Sequence, residues 1–352
     1  MLNYNPVTKK SGQSFAVGRG AVAIRLALSN LSIKDGYVLV PANICYAAVL
    51  PVIYSGFSPL FCDVDPVSGN VTLNSVKCAC NNDVIAAIIP HMYGNPVNEF
   101  LLIYDYLHSR NVTVIEDCAS LMTNKGNNYI PGTIGDYVVY STGYSKTIDI
   151  GFGGLLFSER NDLNCLESVE NNLNEFDKSY ELEWSSFSAV YRILRNKGQH
   201  TSIAKSVFQN LPSSFSDSYN FRVSEEQKTK IIESIDTLDA VIEERRRKYK
   251  LYLSSLEISE EKVYSFSADS VPWRFNMLLG EEREEFIKYC LDNKLPVSDW
   301  YPLVTPIFGD NKCYPNAEWH EKHIVNFPIL ISDEKIIEIC NIINQYYRGV
   351  ES

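Results

Sequence analysis

The sequence lacks an apolar run of membrane-spanning length, a paired cysteine framework, metal-ligand spacing and any excess of basic charge. A spanning helix needs about 20 consecutive apolar residues, and no stretch approaches that. The first ten residues, Met1 to Lys10, lack the apolar core of a secretory leader, so a cytoplasmic protein is expected. The nine cysteines (Cys45, Cys62, Cys78, Cys80, Cys118, Cys165, Cys290, Cys313 and Cys340) are odd in number and scattered, which fits reduced thiols. Cys78-Ala79-Cys80 has no second Cys or His pair at ligand spacing, so no metal is expected. A net charge of −11 argues against nucleic acid or an anionic membrane as the main partner. An anionic substrate therefore requires a local basic site against the overall field. There is no internal repeat. A dinucleotide fingerprint is also missing, because Gly18-Arg19-Gly20 lacks the third glycine and follows no clear strand.

What is present is an ordinary globular composition, 45% hydrophobic and 21% charged, over 352 residues. That length suits one large and one small domain, placed at 1–240 and 241–352. Over the first 160 residues short apolar runs alternate with amphipathic stretches. Strands are expected at Tyr37–Pro41, Pro59–Asp65, Val84–Pro90 and Val112–Ile115, and helices at Ala21–Leu31, Ala47–Tyr54 and Leu101–Arg110. The continuous apolar run Val84–Pro90 suits a strand buried on both faces. Such alternation predicts an α/β fold with βαβ units and a mostly parallel sheet. From 161 to 217 the chain turns polar and aromatic, consistent with helices and loops. A single long helix is expected over Gln227–Leu256, with Glu243 to Lys248 as a solvated charged face. A strand at Trp273–Leu279 and a terminal helix at Asp333–Tyr347 complete a smaller α+β unit.

In parallel sheets ligands sit beyond the carboxyl ends of the strands. His91 and Tyr93 follow one predicted strand and Glu116-Asp117 another. The turn from Ser141 to Lys146, with Gly153-Gly154 beyond it, follows Tyr137-Val-Val-Tyr140. A buried acid, then a serine and a lysine on one edge, is a set that can hold pyridoxal phosphate (PLP). The lysine anchors it covalently, the aspartate pairs with the pyridine nitrogen and the serine takes phosphate.

With these pieces in order, the chain resembles the DegT/DnrJ/EryC1/StrS family of PLP-dependent sugar aminotransferases, from about residue 15 to 348. The blocks that carry the resemblance include Val38–Pro41, Pro59–Asp65, Ile89–Gly94, Ile115–Ala119, Gly135 to Gly154, Ser218–Gln227 and Ile324–Pro328. The resemblance implies the fold-type-I, aspartate-aminotransferase-like architecture. It implies Lys146 as the covalent anchor, Asp117 as the partner of the pyridinium and Ser141 as a phosphate ligand. It also implies that the backbone at Gly20-Ala21 cradles phosphate, and that Asn220 reaches the phosphate of a neighbouring subunit in a homodimer with shared active sites. Trp300 and Tyr301 lie where relatives line a sugar pocket.

Three positions depart from the family pattern. Ala21 replaces a common threonine, Cys45 stands near a position where an aromatic stacks on the cofactor (with Tyr46 beside it), and Ser120 replaces a glutamine near the phenolic oxygen. The expected activity is transfer of an amino group, with glutamate as the donor implied by the family, to a keto sugar that is nucleotide-linked. The product would serve a surface polysaccharide or a secondary metabolite. A binding or assembly role without catalysis, and PLP-dependent dehydration of a deoxysugar precursor, are the competing readings. The family's dehydrating branch carries histidine in place of the lysine, so retention of Lys146 favours transamination. Arg192, Arg195 and Lys197 could meet a diphosphate, although a solvated helix face is the simpler reading.

Overall fold

In this computed structural model, residues 2–33, 35–160, 163, 173–196, 216–309 and 312–350 are described. The alternating pattern of the first half builds one eight-stranded sheet. Its strands are β1 (Leu2–Tyr4), β2 (Ser11–Val17), β3 (Tyr37–Pro41), β4 (Ser58–Cys62), β5 (Val84–Pro90), β6 (Thr113–Asp117), β7 (Tyr137–Ser141) and β8 (Gly154–Ser158). Their spatial order is β1-β2-β8-β7-β6-β5-β3-β4. Strands β4, β3, β5, β6 and β7 run parallel, while β8 pairs antiparallel with both β7 and β2.

Side chains of β7 and β8 alternate between two apolar layers, as the two-residue period of a strand demands. Tyr137, Val139 and Leu156 join the layer that includes helix α1 (Gly20–Ser29) and helix α2 (Tyr46–Tyr54). Val138, Tyr140, Leu155 and Phe157 join the opposite layer. Helices α3 (Leu73–Ala79) and α4 (Phe100–His108) complete the crossovers between parallel strands.

Two expectations change here. The Gly18-Arg19-Gly20 turn does follow a strand, β2, whose polar pattern hid it from the sequence. Its buried Gln13 accepts a bond from the backbone of Leu163, and Ser14 donates to the carbonyl of Tyr4, so tertiary partners satisfy the polar groups. Strand β2 is an antiparallel member next to β8, an arrangement unlike the opening of a dinucleotide-binding unit.

Beyond 173, helix α5 (Ser179–Asn196) lies over the carboxyl edge of the sheet. The expected single helix at Gln227–Leu256 is two, α6 (Glu225–Ile235) and α7 (Leu238–Ser255). The hydroxyls of Ser234 and Thr237 donate to the carbonyls of Ile231 and Ser234, which offers the backbone an alternative to continuing the helix. A capping box between Ser224 and Gln227 starts α6. The charged run on α7 is also not a uniformly solvated face: Arg245 is 2% exposed and Lys248 is buried.

A second, two-stranded antiparallel sheet pairs β9 (Phe275–Leu278) with β10 (Ile324–Phe327). Helices α8 (Arg283–Asp292), α9 (Thr305–Phe308), α10 (Pro315–His323) and α11 (Asp333–Val350) accompany it. Its core joins Tyr252, Phe275, Met277, Phe286, Val325 and Ile339. Helix α7 serves both cores, with Leu238 and Ile242 in the large one and Tyr252 in the small one. The boundary expected after residue 240 thus falls inside a continuous helix.

Candidate functional site

The parallel strands deliver their carboxyl ends to one edge, where a cavity of about 770 Å³ opens. This size suits a small-molecule site. Asp117 closes β6, Ser141 closes β7, and Cys45 follows β3 as the N-cap of α2. All three line the cavity, as do Gly20, Ala21, Tyr46, Ser120, Lys146, Trp300 and Tyr301.

Helix α1 begins at the cavity with no acidic residue in its first turn and no side chain capping its start. The first intrahelical bonds are those of Val22 and Ala23 to the carbonyl of Arg19, so the N–H of Ala21 has no intrahelical acceptor at this helix start, while Arg19 bridges Gly153 across the turn. Gly20 packs directly on the end of β7. A Cβ there would stand 3.1 Å from the Cβ of Ser141. Opposite, Gly153 has φ of +95°, and a Cβ would meet Thr142 Oγ1 at 2.6 Å. The start of α1, the Ser141 hydroxyl and a backbone that has no room for side chains meet at one end of the cavity.

The lysine turn is clamped from several directions. Ser145, in the left-handed region at φ 59°, donates its N–H to Asp149, whose other oxygen accepts from Gly151. Trp273 Nε1 donates to the Ser145 carbonyl. Arg245 donates to the carbonyls of Lys146, Thr147, Pro272 and Trp273. Burial pushes the Arg245 guanidinium down to about 10, with the charge of Asp149 opposing it. This arginine ties the lysine turn to the strand entering the smaller sheet. Sequence reading missed it because a charge run on a helix reads as surface, and burial depends on which face meets the core.

Asp117 is buried. One carboxylate oxygen accepts the N–H of Ala119 at 2.9 Å. Desolvation raises its pKa above the ordinary carboxylate value, opposed by the Ala119 bond and by the charge of Lys146. Cys45, half-buried, has its thiol pushed up by desolvation and is too short to stack on a ring. Tyr46 contacts the rings of Phe187 and Tyr191 on α5 at 5.4 and 4.8 Å. The Tyr301 hydroxyl bonds Ser120 and lies close to Lys146 and Arg274. The uncapped start of α1, Ser141, Lys146 and the buried Asp117 carboxylate, one oxygen of which is taken by Ala119, fit PLP as a group.

His91 and Tyr93 do not line this cavity. The His91 Nδ1 accepts the N–H of Val97, so its proton sits on Nε2 and is donated to Glu116 at 3.1 Å. Glu116 also accepts the N–H groups of Gly132, Ile134 and Gly135. Together with Cys118 these two residues form a close group of the kind that can hold a metal, but their ligand atoms are already committed to structural bonds. Tyr93, buried, accepts the N–H of Tyr301 and donates to Nε2 of His320, whose Nδ1 donates to the Pro66 carbonyl. Tyr93 therefore supports a cavity wall from behind. Asn220 lies outside the lining of its own chain's cavity, next to Phe221, which belongs to it.

Helix α5 supplies the outer wall. Glu181, Trp184, Ser185, Ser188 and Arg192 line the cavity from one helical face. Arg192 is exposed, as a solvated helix face would leave it, and lies over the Trp300 ring, 5.3 Å from its centre. The side chain of Arg195 and all of Lys197 lie outside the described residues. Arg19 lies 3.7 Å over Trp184, and Arg274 lies 4.4 Å over Trp273. With Lys146, the lining carries four basic side chains against Asp117 and Glu181, in a protein of net charge −11. This is the local basic site that an anionic substrate requires.

Known proteins are similar to this chain. GDP-perosamine synthase of Escherichia coli O157:H7 is 28% identical over 342 residues, 94% of this chain and 85% of that protein. Among solved structures, the aminotransferase TlmJ of Streptoalloteichus hindustanus superposes with a TM-score of 0.78 at 16% identity, covering 99% of this chain and 89% of that one. The E. coli GDP-4-keto-6-deoxy-D-mannose-3-dehydratase superposes with a TM-score of 0.69 at 18% identity, covering 94% and 87%. At these identities the two structures speak to the fold alone, which is that of the fold-type-I transferases. Residues 8–344 match the family as a whole, and the chain belongs to the DegT/DnrJ/EryC1/StrS aminotransferase family.

Proposed function

We propose that the chain is a PLP-dependent aminotransferase that moves an amino group, with glutamate as donor, to a nucleotide-linked keto sugar. The observation that carries this reading is the shared cavity of Lys146, Asp117 and the uncapped start of α1. Relatives named GDP-perosamine synthase and dTDP-4-dehydro-2,3,6-trideoxy-D-glucose 4-aminotransferase support the nucleotide-sugar class.

Bound PLP supplies an electron sink for the carbon that loses its proton. Lys146 would hold the cofactor covalently, and its Nζ, when free, would be the base that takes the donor's α-proton and returns it elsewhere. Asp117 accepts the hydrogen bond of a protonated ring nitrogen, which keeps the ring electron-poor. The start of α1 at Gly20-Ala21 and the Ser141 hydroxyl grip the phosphate. Ser120 and Tyr301 would offer a polar contact to the phenolic oxygen, and Cys45 with Tyr46 would border the ring. Trp300 and α5, with Arg19 and Arg192, face the sugar nucleotide.

The working form is a homodimer in which Asn220 reaches the partner's phosphate. Tyr144, 83% exposed at the cavity rim, fits a surface that a second copy covers. Among the described residues no helix is long and apolar enough to cross a membrane, and we place the enzyme in the cytoplasm. Its amino sugar would enter a surface polysaccharide or a secondary metabolite.

The test is the visible spectrum of the purified protein with PLP, before and after glutamate. A protein-bound cofactor band that glutamate converts, with release of 2-oxoglutarate, is expected. Oxygen lost from the sugar without 2-oxoglutarate would instead mark a dehydratase. No bound cofactor would mark a binding protein.

A further inference from the structure

Each of the three arginines lining the cavity lies over a different tryptophan, and among the described residues none has a carboxylate within ion-pair distance. A guanidinium flat on an indole keeps its N–H edge free for a planar anion. The three differ in place. Arg19 and Arg192 belong to the α1 and α5 side. Arg274 belongs to the Lys146 side: it donates to the Ser145 hydroxyl at 3.3 Å, and to that of Ser298 at 2.6 Å. Its Nε is buried and has no partner among the described residues. Trp273, beneath it, is itself bonded to the Ser145 carbonyl, so stack and turn form one unit.

An amino acid that exchanges its amine with Lys146 carries its α-carboxylate two bonds from that nitrogen. The cation that reads this carboxylate must therefore stand beside the lysine turn. We infer that Arg274 is the specificity residue for the amino donor, binding the α-carboxylate of an amino acid through its guanidinium edge. Arg19 and Arg192 are left to other parts of the substrates. Serine hydroxyls hold the Arg274 guanidinium in place without neutralising it, so its charge stays available for an incoming carboxylate. The inference rests on the aminotransferase reading and adds the residue that chooses the donor.

The experiment uses the holoenzyme and two variants, Arg274→Gln and Arg274→Lys, with melting temperature checked for each. Conversion of glutamate to 2-oxoglutarate in a single turnover without sugar is followed first. Steady-state KM values for glutamate and for the keto sugar are measured next. Arg274→Gln should raise the glutamate concentration for half-saturation by about 20- to 100-fold and leave the sugar's KM within about twofold. Arg274→Lys, which keeps charge but loses the fork, should fall between. An unchanged glutamate dependence, or a rise confined to the sugar's KM, would overturn the assignment. Wild-type protein that never converts glutamate would instead overturn the aminotransferase reading itself.

Discussion

The guanidinium of Arg245 donates to the backbone carbonyl of Lys146, across a sequence separation of 99 residues. The same side chain reaches the carbonyls of Thr147, Pro272 and Trp273, so four acceptors from two segments converge on one buried cation. The lysine turn and the strand that enters the smaller sheet are therefore held to each other by α7.

Replacing Arg245 with methionine keeps the volume of the stem and strands those carbonyls. Several unsatisfied buried acceptors are expected to cost about 3 kcal/mol of stability. Turnover at a temperature well below melting should fall by about tenfold or more, because the lysine is no longer fixed in direction. Chemical denaturation and single-turnover kinetics on the same preparation check both numbers. Normal turnover in a destabilised variant would show that the clamp is structural only.

Lys146→Ala removes the covalent anchor and the proton shuttle together. Turnover should vanish while PLP still binds through its phosphate. Equilibrium dialysis of PLP beside the glutamate assay separates the two effects, and a variant with undiminished turnover would refute the role.

Asp117→Asn removes the charge that keeps the ring nitrogen protonated. The rate should fall by about two to three orders of magnitude with PLP still bound. For the native residue, desolvation is the largest influence on the carboxyl and raises its pKa. In the protein without cofactor the charged form is therefore lost at a higher pH than for an ordinary aspartate, so affinity for PLP should start to fall above the usual carboxylate range. Affinity that holds down to the ordinary aspartate value would contradict this.

His320 offers a separate pH test. Its folded pKa is lowered to about 4 by burial. In the unfolded chain the imidazole titrates near ~6.5. Above that value both states are neutral and nothing changes. As pH falls from about 6.5 to 4 only the unfolded state gains the proton, so stability drops by roughly 3 kcal/mol. Below 4 the loss levels off. Urea unfolding across this window should show the slope, and His320→Gln should flatten it.

The spacing of Asp117, Ser141, Lys146 and Gly153-Gly154 was legible in the chain, and so were the parallel strands. Local pattern suffices there: apolar runs make buried strands, and each strand end lies on the same edge. The residues around that edge were harder to place. His91 follows a strand end as expected, yet its ring turns inward to Glu116, because a buried carboxylate needs a donor. Helix α5 gave no readable signal, since its polar face serves a cavity and not solvent. Cys45, Ser120 and Ala21 were recognised as departures, but only the structure shows Tyr301 bonded to Ser120.

By itself, then, the sequence determined the parallel strands of the sheet and the spacing of Asp117, Ser141 and Lys146 at their ends. These follow from short-range periodicity and from residues close together in the chain. The tertiary structure decided which charges are buried and what they face. Arg19 meets Trp184, Arg192 meets Trp300 and Arg245 meets Lys146 over separations of about a hundred residues or more. No local propensity encodes such pairs, because they exist only once the packing of distant elements has excluded water from between them.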